Sequence, residues 1–173
     1  MTMALVGATT ADSEAALVDL FRQHYRSLLR LAALLLDDAG ASEDVVQEAY
    51  IRVADRLDRI RDPQATLAYL RQTVVNLARS TVRRRQLAAK HDRSEPRAVV
   101  APEDAGLAAF ERAAVVRALR KLPRHQREAV VLRYYGDLTE AQAAAVMGVS
   151  TGAVKSSTSR GLAALGAHLE ALR

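Results

Sequence analysis

The sequence has 173 residues, half of which are apolar, a formal net charge of +5 and no cysteine. The lack of cysteine excludes a disulfide framework and a thiolate metal site, which fits a reducing compartment. Aromatic residues make up 4% of the chain, and the dominance of alanine and leucine is typical of a helical soluble protein. We expect a cytoplasmic protein without membrane insertion, because residues 1–15 do not resemble a signal peptide and the longest apolar run, residues 31–36, is too short to cross a bilayer.

The charge is distributed unevenly along the chain. Residues 1–66 are net acidic, residues 67–101 are strongly basic, and the remaining residues are moderately basic. This distribution predicts two kinds of partner surface, of which the basic one suits phosphate groups.

The spacing of apolar residues predicts helices, and no run of alternating polar and apolar residues indicates strands. A first helix is predicted over residues 14–36 and is ended by the segment 37–42. Ser42 is predicted to cap the second helix. Asp62, as an N-cap before a proline, predicts the start of a third helix over residues 63–89.

Helical periodicity fails over residues 90–105, where charged residues and two prolines indicate a flexible linker. Periodicity then resumes, and Pro123 starts a further helix that Gly136 ends. The expected fold is therefore all-α, with two small helical domains over residues 12–89 and 106–171 joined by the flexible linker 90–105.

A helix-turn-helix pattern lies in the second domain. Thr139 and Gln142 form a capping box that opens a short helix, which Gly148 ends, and Ser150 caps a longer helix. A short helix, a bend that contains glycine and a longer helix are the parts of a DNA-binding helix-turn-helix.

The longer helix of this pattern has two different faces. Val149 and Val154 are expected to fill the space between the two helices. The opposite face exposes small, hydroxyl-bearing and basic residues: Thr151, Gly152, Lys155, Ser156, Ser159 and Arg160. An ordinary helical hairpin with a solvated face is the alternative, but a serine-rich face poor in acids favours contacts with phosphates and base edges.

The predicted second helix carries polar residues at spacings of three, four and seven, which place them on one face. These residues are Asp44, Gln47, Glu48 and Asp55. Acidic residues near a helix start are common, so a solvated surface explains this face as well as a partner does.

Three blocks of the sequence, taken in order, resemble a bacterial RNA polymerase sigma factor of the small, two-domain extracytoplasmic-function class. Residues 44–48 (DVVQE) are similar to the motif on the helix that docks to the polymerase clamp. Residues 69–85 resemble the helix that melts and reads the −10 promoter element. Residues 122–139 and 148–160 are similar to the domain that reads the −35 element.

The resemblance implies a transcription initiation factor with no cofactor and no metal site. Its implied partners are core RNA polymerase and promoter DNA, with an anti-sigma factor as a further candidate. The implied contacts with core polymerase are Asp44, Val45, Gln47 and Glu48. The implied contacts with −10 DNA are Tyr69, Asn76, Arg79, Ser80, Arg83 and Arg84. The implied contacts with −35 DNA are Arg124, Ser150, Thr151, Gly152, Lys155, Ser156 and Arg160.

Details of the sequence depart from the family pattern. Ser80 stands where the family often has aspartate, and Ser157 stands where a longer polar or basic side chain is common. The family often has tryptophan or phenylalanine near Tyr69, whereas this chain contains no tryptophan. The promoter preference of relatives therefore does not transfer to this chain.

Two other functions compete with this interpretation. A free-standing helix-turn-helix regulator of duplex DNA explains the C-terminal motif, but it leaves the acidic helix unexplained and the chain lacks a dimerisation helix with sustained heptads. An enzyme is disfavoured because the four histidines are scattered without metal-ligand spacing. The sequence also contains no glycine-rich phosphate loop and no nucleophile elbow.

Overall fold

The computed structural model of the protein describes residues 10–56, 62–89 and 107–171. These residues form seven helices: α1 (Thr10–Leu36), α2 (Ala39–Ala54), α3 (Pro63–Ala89), α4 (Leu107–Lys121), α5 (Arg124–Tyr134), α6 (Glu140–Met147) and α7 (Thr151–Glu170). No strand occurs in these three ranges, which confirms the all-α prediction. The predicted linker, residues 90–105, lies outside the described residues.

The junction between α1 and α2 is tighter than the sequence predicts. Asp37 has a left-handed φ of 54°, and Asp38 caps α2 by accepting a hydrogen bond from the Ala41 amide at 2.9 Å. Because α2 therefore starts at Ala39, Ser42 lies inside the helix, where its buried hydroxyl donates to the Asp38 carbonyl oxygen. The prediction that Ser42 caps α2 is wrong, because the cap is formed before it.

Helices α1, α2 and α3 pack against one another. Their fully buried side chains include Leu28, Leu31, Val46, Val53, Leu70 and Val74. Tyr50 is buried beside them, and its hydroxyl donates a hydrogen bond to the Leu20 carbonyl oxygen at 3.2 Å. Burial, helped by the nearby Tyr25, raises the pKa of Tyr50 to about 12.

Among the later helices, α5 packs along α7, and α6 lies against the two of them. Helices α5 and α7 approach each other closely at Gly161. A Cβ atom at this position would lie 2.8 Å from Val130 Cγ2 and 3.1 Å from the Gln126 carbonyl oxygen. A residue without a side chain therefore sets the distance between the two helices.

The two groups of helices, α1–α3 and α4–α7, meet along a surface that we call the seam. Their buried apolar residues form one continuous cluster across it. Four ion pairs also cross it: Arg79 with Glu128 at 2.7 Å, Arg71 with Asp137 at 3.0 Å, and Asp37 with both Arg120 at 3.3 Å and Arg127 at 2.9 Å. The relative position of the two groups thus depends on charged side chains as well as on apolar packing.

Candidate nucleic-acid interface

The helix-turn-helix has the capping hydrogen bonds that the sequence predicts. The Thr139 hydroxyl accepts from the Gln142 amide at 3.2 Å, and the Gln142 side chain accepts from the Thr139 amide at 2.8 Å. Gly148 ends α6 with a φ of 67°, a conformation that glycine adopts without strain. The Ser150 hydroxyl then caps α7 by accepting from the Ala153 amide at 3.2 Å. The local sequence therefore fixes both ends of the turn.

The packing inside the turn differs from the prediction at one position. Val154 is fully buried, as expected, whereas Val149 is 37% exposed. The prediction that Val149 fills the space between the helices is therefore wrong. Met147 is buried in the same apolar cluster as Val154, and the left-handed backbone of Gly148 separates Met147 from Val149.

One face of α7 is exposed, polar and basic, and we call it the recognition face. It consists of Thr151, Gly152, Lys155, Ser156, Ser159 and Arg160, all of which are exposed. Their spacing of four residues aligns them along one side of the helix. The face extends from the capped N-terminus of α7, beside the exposed Ser150. Its side chains can donate and accept hydrogen bonds, and two of them are cationic.

A cleft of about 410 Å³ lies between the end of α2 and the middle of α3. It is lined by Arg52, Asp55, Arg56, Tyr69, Gln72, Thr73 and Asn76. The Arg56 guanidinium lies 5.4 Å from the centre of the Tyr69 ring, which is a cation–π distance. An aromatic ring, a hydroxyl, two side-chain amides, two arginines and one carboxylate therefore surround a space that is open to solvent.

Two hydrogen bonds hold three side chains of the cleft in place. The Thr73 hydroxyl donates to the Tyr69 carbonyl oxygen at 2.8 Å, and the Gln72 amide donates to the Asn76 side-chain oxygen at 3.3 Å. Thr73 is 7% exposed, while Asn76 is exposed. Asn76 lines the cleft, and its side-chain NH2 group is able to donate hydrogen bonds.

The polar face of α2 carries two exposed side chains and one ion pair on the helix surface. Asp44 and Gln47 are exposed, and Glu48 pairs with Arg52 at 2.7 Å on the helix surface. Val45, which the resemblance implies as a partner contact together with these residues, is 6% exposed and packs in the core. We call Asp44, Gln47 and Glu48 the docking face, and Val45 supports it from inside.

Comparisons with known proteins identify the family. The family model "Sigma-70 region 2" matches residues 20–88, and "Sigma-70, region 4" matches residues 112–165. The ECF RNA polymerase sigma factor SigM of Mycobacterium tuberculosis is 35% identical over 162 residues, which are 93% of this chain and 81% of that protein. The RNA polymerase sigma-E factor of Streptomyces avermitilis is 34% identical over 149 residues, which are 86% and 82% of the two chains. This chain belongs to the RNA polymerase sigma factors.

Solved structures show the same fold for this sigma factor. The sigma factor RpoE of Bartonella quintana, solved with the anti-sigma factor NepR, aligns over 90% of this chain and 99% of its own, with a TM-score of 0.67 and 23% identity. CnrH, solved with the cytosolic domain of CnrY, aligns over 94% of this chain and 95% of its own, with a TM-score of 0.58 and 26% identity.

A sigma factor binds core RNA polymerase and directs it to promoters, and it is not an enzyme. The residues that the structure describes contain no group of three or more histidine, aspartate or glutamate side chains able to hold a metal ion. None of their helices is both long and apolar enough to span a membrane. The free-standing regulator is not favoured, because the region 2 match covers α2 and most of α1 and α3.

The structure of this sigma factor separates the basic residues of α3. Ser80, Arg83 and Arg84 are exposed, with Arg84 donating to the Thr81 hydroxyl at 3.3 Å. Arg79 instead turns to Glu128 across the seam. The α3 residues that the resemblance assigns to −10 DNA are therefore split between the open surface and the seam.

Arg124 is likewise placed at the seam. It is exposed at the start of α5, and it lines a void of about 20 Å³ together with Arg79 and Glu128. Arg127 next to this void pairs with Asp37. The helix-turn-helix thus places the residues of the recognition face on one surface. Arg124 lies apart from them, at the contact with the other group of helices.

Sequence reasoning missed Arg52 and Arg56 as neighbours of Tyr69 in the sigma factor. Both lie near the end of α2 at a spacing of four residues, which places them on one side of the chain. That spacing is a signal for a shared surface, but only the packing of α2 on α3 shows that the surface faces the Tyr69 ring.

Proposed function

We propose that this sigma factor divides promoter recognition between its two groups of helices, and that it acts in the cytoplasm. Residues 12–89 form the domain that docks on core polymerase through α2 and reads the melted −10 element with α3. Residues 106–171 form the domain that reads the duplex −35 element with α7, and residues 90–105 join the two. The observation that carries this proposal is the recognition face of α7, presented by a capped turn.

The recognition face suits the major groove of duplex DNA. The groove is about 12 Å wide and admits one α-helix. Ser150, Thr151 and Gly152 lie at the N-terminus of α7, where free backbone amides and the helix dipole favour a phosphate. Lys155 and Arg160 follow along the same face, where they reach phosphates or guanine edges.

The cleft beside α3 suits an unpaired base. Single-stranded DNA is held by stacking of bases on aromatic rings and by cations along the backbone. Tyr69 provides the ring, Arg56 lies over it, and Asn76 provides a hydrogen-bond donor to a base edge. Ser80, Arg83 and Arg84 continue along the exposed part of α3 as contacts for phosphates.

The docking face suits a basic protein surface. Asp44 and Gln47 are exposed, and Glu48 keeps its carboxylate at the surface beside Arg52. Such groups at the rim of an interface steer association and fix its register. We propose that Asp44, Gln47 and Glu48 contact core polymerase directly, and that buried Val45 holds α2 in position.

An anti-sigma factor is a further partner that we propose. The related sigma factor of Bartonella quintana was solved with the anti-sigma factor NepR. The present chain has exposed apolar side chains on α1 and α2. They include Val18 and Phe21 of α1 and Ile51 of α2. Ile51 lies on α2 four residues after Gln47, so a regulator that covers Ile51 would also cover part of the docking face.

The test is run-off transcription with purified core polymerase on a library of genomic promoter fragments. We expect transcripts from a subset of fragments that share two sequence elements, and no transcripts from core polymerase alone. Specific binding of the free protein to duplex operators, without any transcription in the presence of core polymerase, would contradict the proposal and favour a free-standing regulator.

A further inference from the structure

Among the described residues that line the cleft between α2 and α3, Asp55 is the one acidic side chain. The sequence pattern groups Asp55 with the residues of the docking face, but it follows the last of them by about two helical turns. The packing of α2 on α3 places it instead in the cleft that Tyr69 and Asn76 also line. Docking on core polymerase therefore does not account for Asp55.

Helix stability does not explain an acidic residue at this position either. Asp55 is the C-cap residue of α2, where the negative end of the helix dipole disfavours a carboxylate. Of the two arginines that line the cleft, Arg52 pairs with Glu48 at 2.7 Å. Arg56 lies 5.4 Å from the centre of the Tyr69 ring. In the part of the chain that the structure describes, Asp55 has no ion-pair partner, and its carboxylate is available to a ligand in the cleft.

A carboxylate in a cleft that holds DNA suits the edge of a base better than a phosphate. An ionised carboxylate only accepts hydrogen bonds, and phosphate groups repel it. Arg52 and Arg56 line the same cleft, so their positive charges offset this repulsion when a DNA strand enters. The group that Asp55 binds is then a hydrogen-bond donor on the edge of an unpaired base.

The four unpaired bases differ in the donors that they present. The Watson–Crick edge of guanine has two adjacent donors, N1–H and the N2 amino group, which match the two oxygens of one carboxylate. Adenine and cytosine each have an amino group beside a ring nitrogen that accepts, and thymine has one N–H between two carbonyl oxygens. A carboxylate therefore meets an acceptor in each of these three bases, and guanine suits it best. The O6 atom of guanine accepts, and the Asn76 side chain is able to donate to it.

We propose that Asp55 makes the cleft selective for an unpaired guanine of the −10 element. This inference rests on the proposed function of the cleft in holding an unpaired base. The N1–H and N2 amino groups of the guanine donate to the Asp55 carboxylate, and its O6 atom accepts from Asn76. Asp55 thus determines specificity, whereas stacking on the Tyr69 ring is available to every base.

The test uses holoenzyme assembled from core polymerase and the full-length chain. The −10 element of a promoter found by run-off transcription is randomised, and the transcripts give the base preference at each melted position. We expect the parent to prefer guanine at one position by about five- to tenfold. This is the lower part of the range for a bidentate contact, because Asp55 is exposed.

Two substitutions remove the paired acceptors. Asp55→Ala removes both oxygens. Asp55→Asn keeps the shape but presents one acceptor and one donor, a combination that every base can match on its Watson–Crick edge. We expect both variants to reduce the guanine preference to about twofold or less. A variant that was merely destabilised would lower transcription from all library members alike and would keep the preference.

Asp19→Asn is the matched control. It removes the same charge from an exposed residue of α1, and we expect it to keep the guanine preference of the parent. Loss of the preference in this variant as well would show a general effect of charge and would overturn the role of Asp55.

A second measurement replaces the preferred guanine by hypoxanthine in a fork promoter whose −10 strand is unpaired. Hypoxanthine keeps N1–H and O6 but lacks the N2 amino group. We expect the parent holoenzyme to bind the hypoxanthine strand about three- to tenfold more weakly, the effect of one hydrogen bond to a charged group. The Asp55→Ala holoenzyme is expected to bind both strands equally.

The outcomes separate this proposal from the proposed function. A parent without a guanine preference at any melted position would overturn the selectivity, as would a preference that neither Asp55 variant reduces. Equal binding of guanine and hypoxanthine by the parent would overturn the two-donor contact. Promoter-dependent transcription would still stand in these cases. Transcription that fails for parent and control alike would overturn the proposed function instead.

Discussion

Gly161 of α7 lies so close to Val130 of α5 that a single added Cβ atom would come within 2.8 Å of the Val130 Cγ2 atom. The Gln126 carbonyl oxygen closes the other side of the same site at 3.1 Å. Because backbone as well as side chain blocks the space, the two helices cannot accommodate a methyl group without moving apart. The position of the recognition face relative to α5 thus depends on one missing side chain.

Gly161→Ala is expected to destabilise the protein by about 1–3 kcal/mol, because overpacking outweighs the helix propensity of alanine. Gly166→Ala in the same helix is the control. A Cβ atom at residue 166 meets nothing within 4 Å, so this change is expected to stabilise by about 0.5–1 kcal/mol. Urea unfolding measures both. Equal effects of the two substitutions would show that the crossing is looser than described.

Lys155→Ala is expected to weaken promoter binding by the holoenzyme and to reduce the salt dependence of that binding by about one counterion. The reason is that Lys155 is exposed in the middle of the recognition face. Lys121→Ala removes the same charge from the exposed end of α4. Filter binding at several salt concentrations checks the pair, and an identical loss for both would exclude a specific role for α7.

Tyr69→Ala is expected to weaken the open promoter complex by about 1–3 kcal/mol, the value of one base stacked on an aromatic ring. Tyr69→Phe keeps the ring beneath Arg56 and should retain most of the binding. Fluorescence of a 2-aminopurine base placed in the −10 element reports melting directly. Normal melting by the alanine variant would remove the cleft from the mechanism.

Asp44→Lys is expected to reduce the affinity for core polymerase about tenfold, because a charge of the wrong sign then lies on the docking face. Glu43→Lys makes the same change of charge at an exposed neighbour that points about 100° away around α2. Competition with a labelled parent protein measures both affinities. The proposed face would be wrong if the Glu43 variant lost as much affinity as the Asp44 variant.

Tyr50→Phe is expected to change the stability of the protein at high pH. The pKa of Tyr50 is raised to about 12 by burial, while in the unfolded chain it is about 10. Below pH 10 this residue is protonated in both states, and its contribution to stability is complete. Between pH 10 and pH 12 the unfolded state loses the proton first, so the stability of the folded state falls as pH rises.

The phenylalanine variant lacks this ionisation and should lose less stability between pH 7 and pH 11 than the parent. At pH 7 it should be less stable by about 1 kcal/mol, because the hydrogen bond to the Leu20 carbonyl oxygen is lost. Tyr134→Phe is the control, since Tyr134 is 64% exposed. A parent and a Tyr50→Phe variant with parallel pH profiles would contradict the assignment.

The elements that the sequence predicts well are those whose ends are set by neighbouring residues. Asp62 accepts from the Gln64 amide at 3.0 Å before α3, and Thr139 and Ser150 cap α6 and α7. In each case a side chain bonds to an amide two or three residues away, so the signal is local. The capping box and the recognition face were therefore accessible from the sequence.

Other features depend on contacts that have no local signal. Ser42 is a good capping residue by type, but the left-handed backbone of Asp37 brings Asp38 into the cap position first. In the sequence, Arg79 is one more basic residue of α3. Its pairing with Glu128 follows only from the packing of α5 beside α3. Tertiary structure therefore decides which of several chemically similar residues caps a helix or forms an ion pair.

Asp37 combines two demands that no other residue type meets equally well. Its backbone is left-handed, which glycine and asparagine also tolerate, and its carboxylate accepts from Arg120 and Arg127, which glutamate also could do. Replacement by asparagine would therefore preserve the bend while removing the charge that pairs with Arg120 and Arg127 across the seam. Such a mutation would leave each group of helices folded and weaken the contact between the two groups.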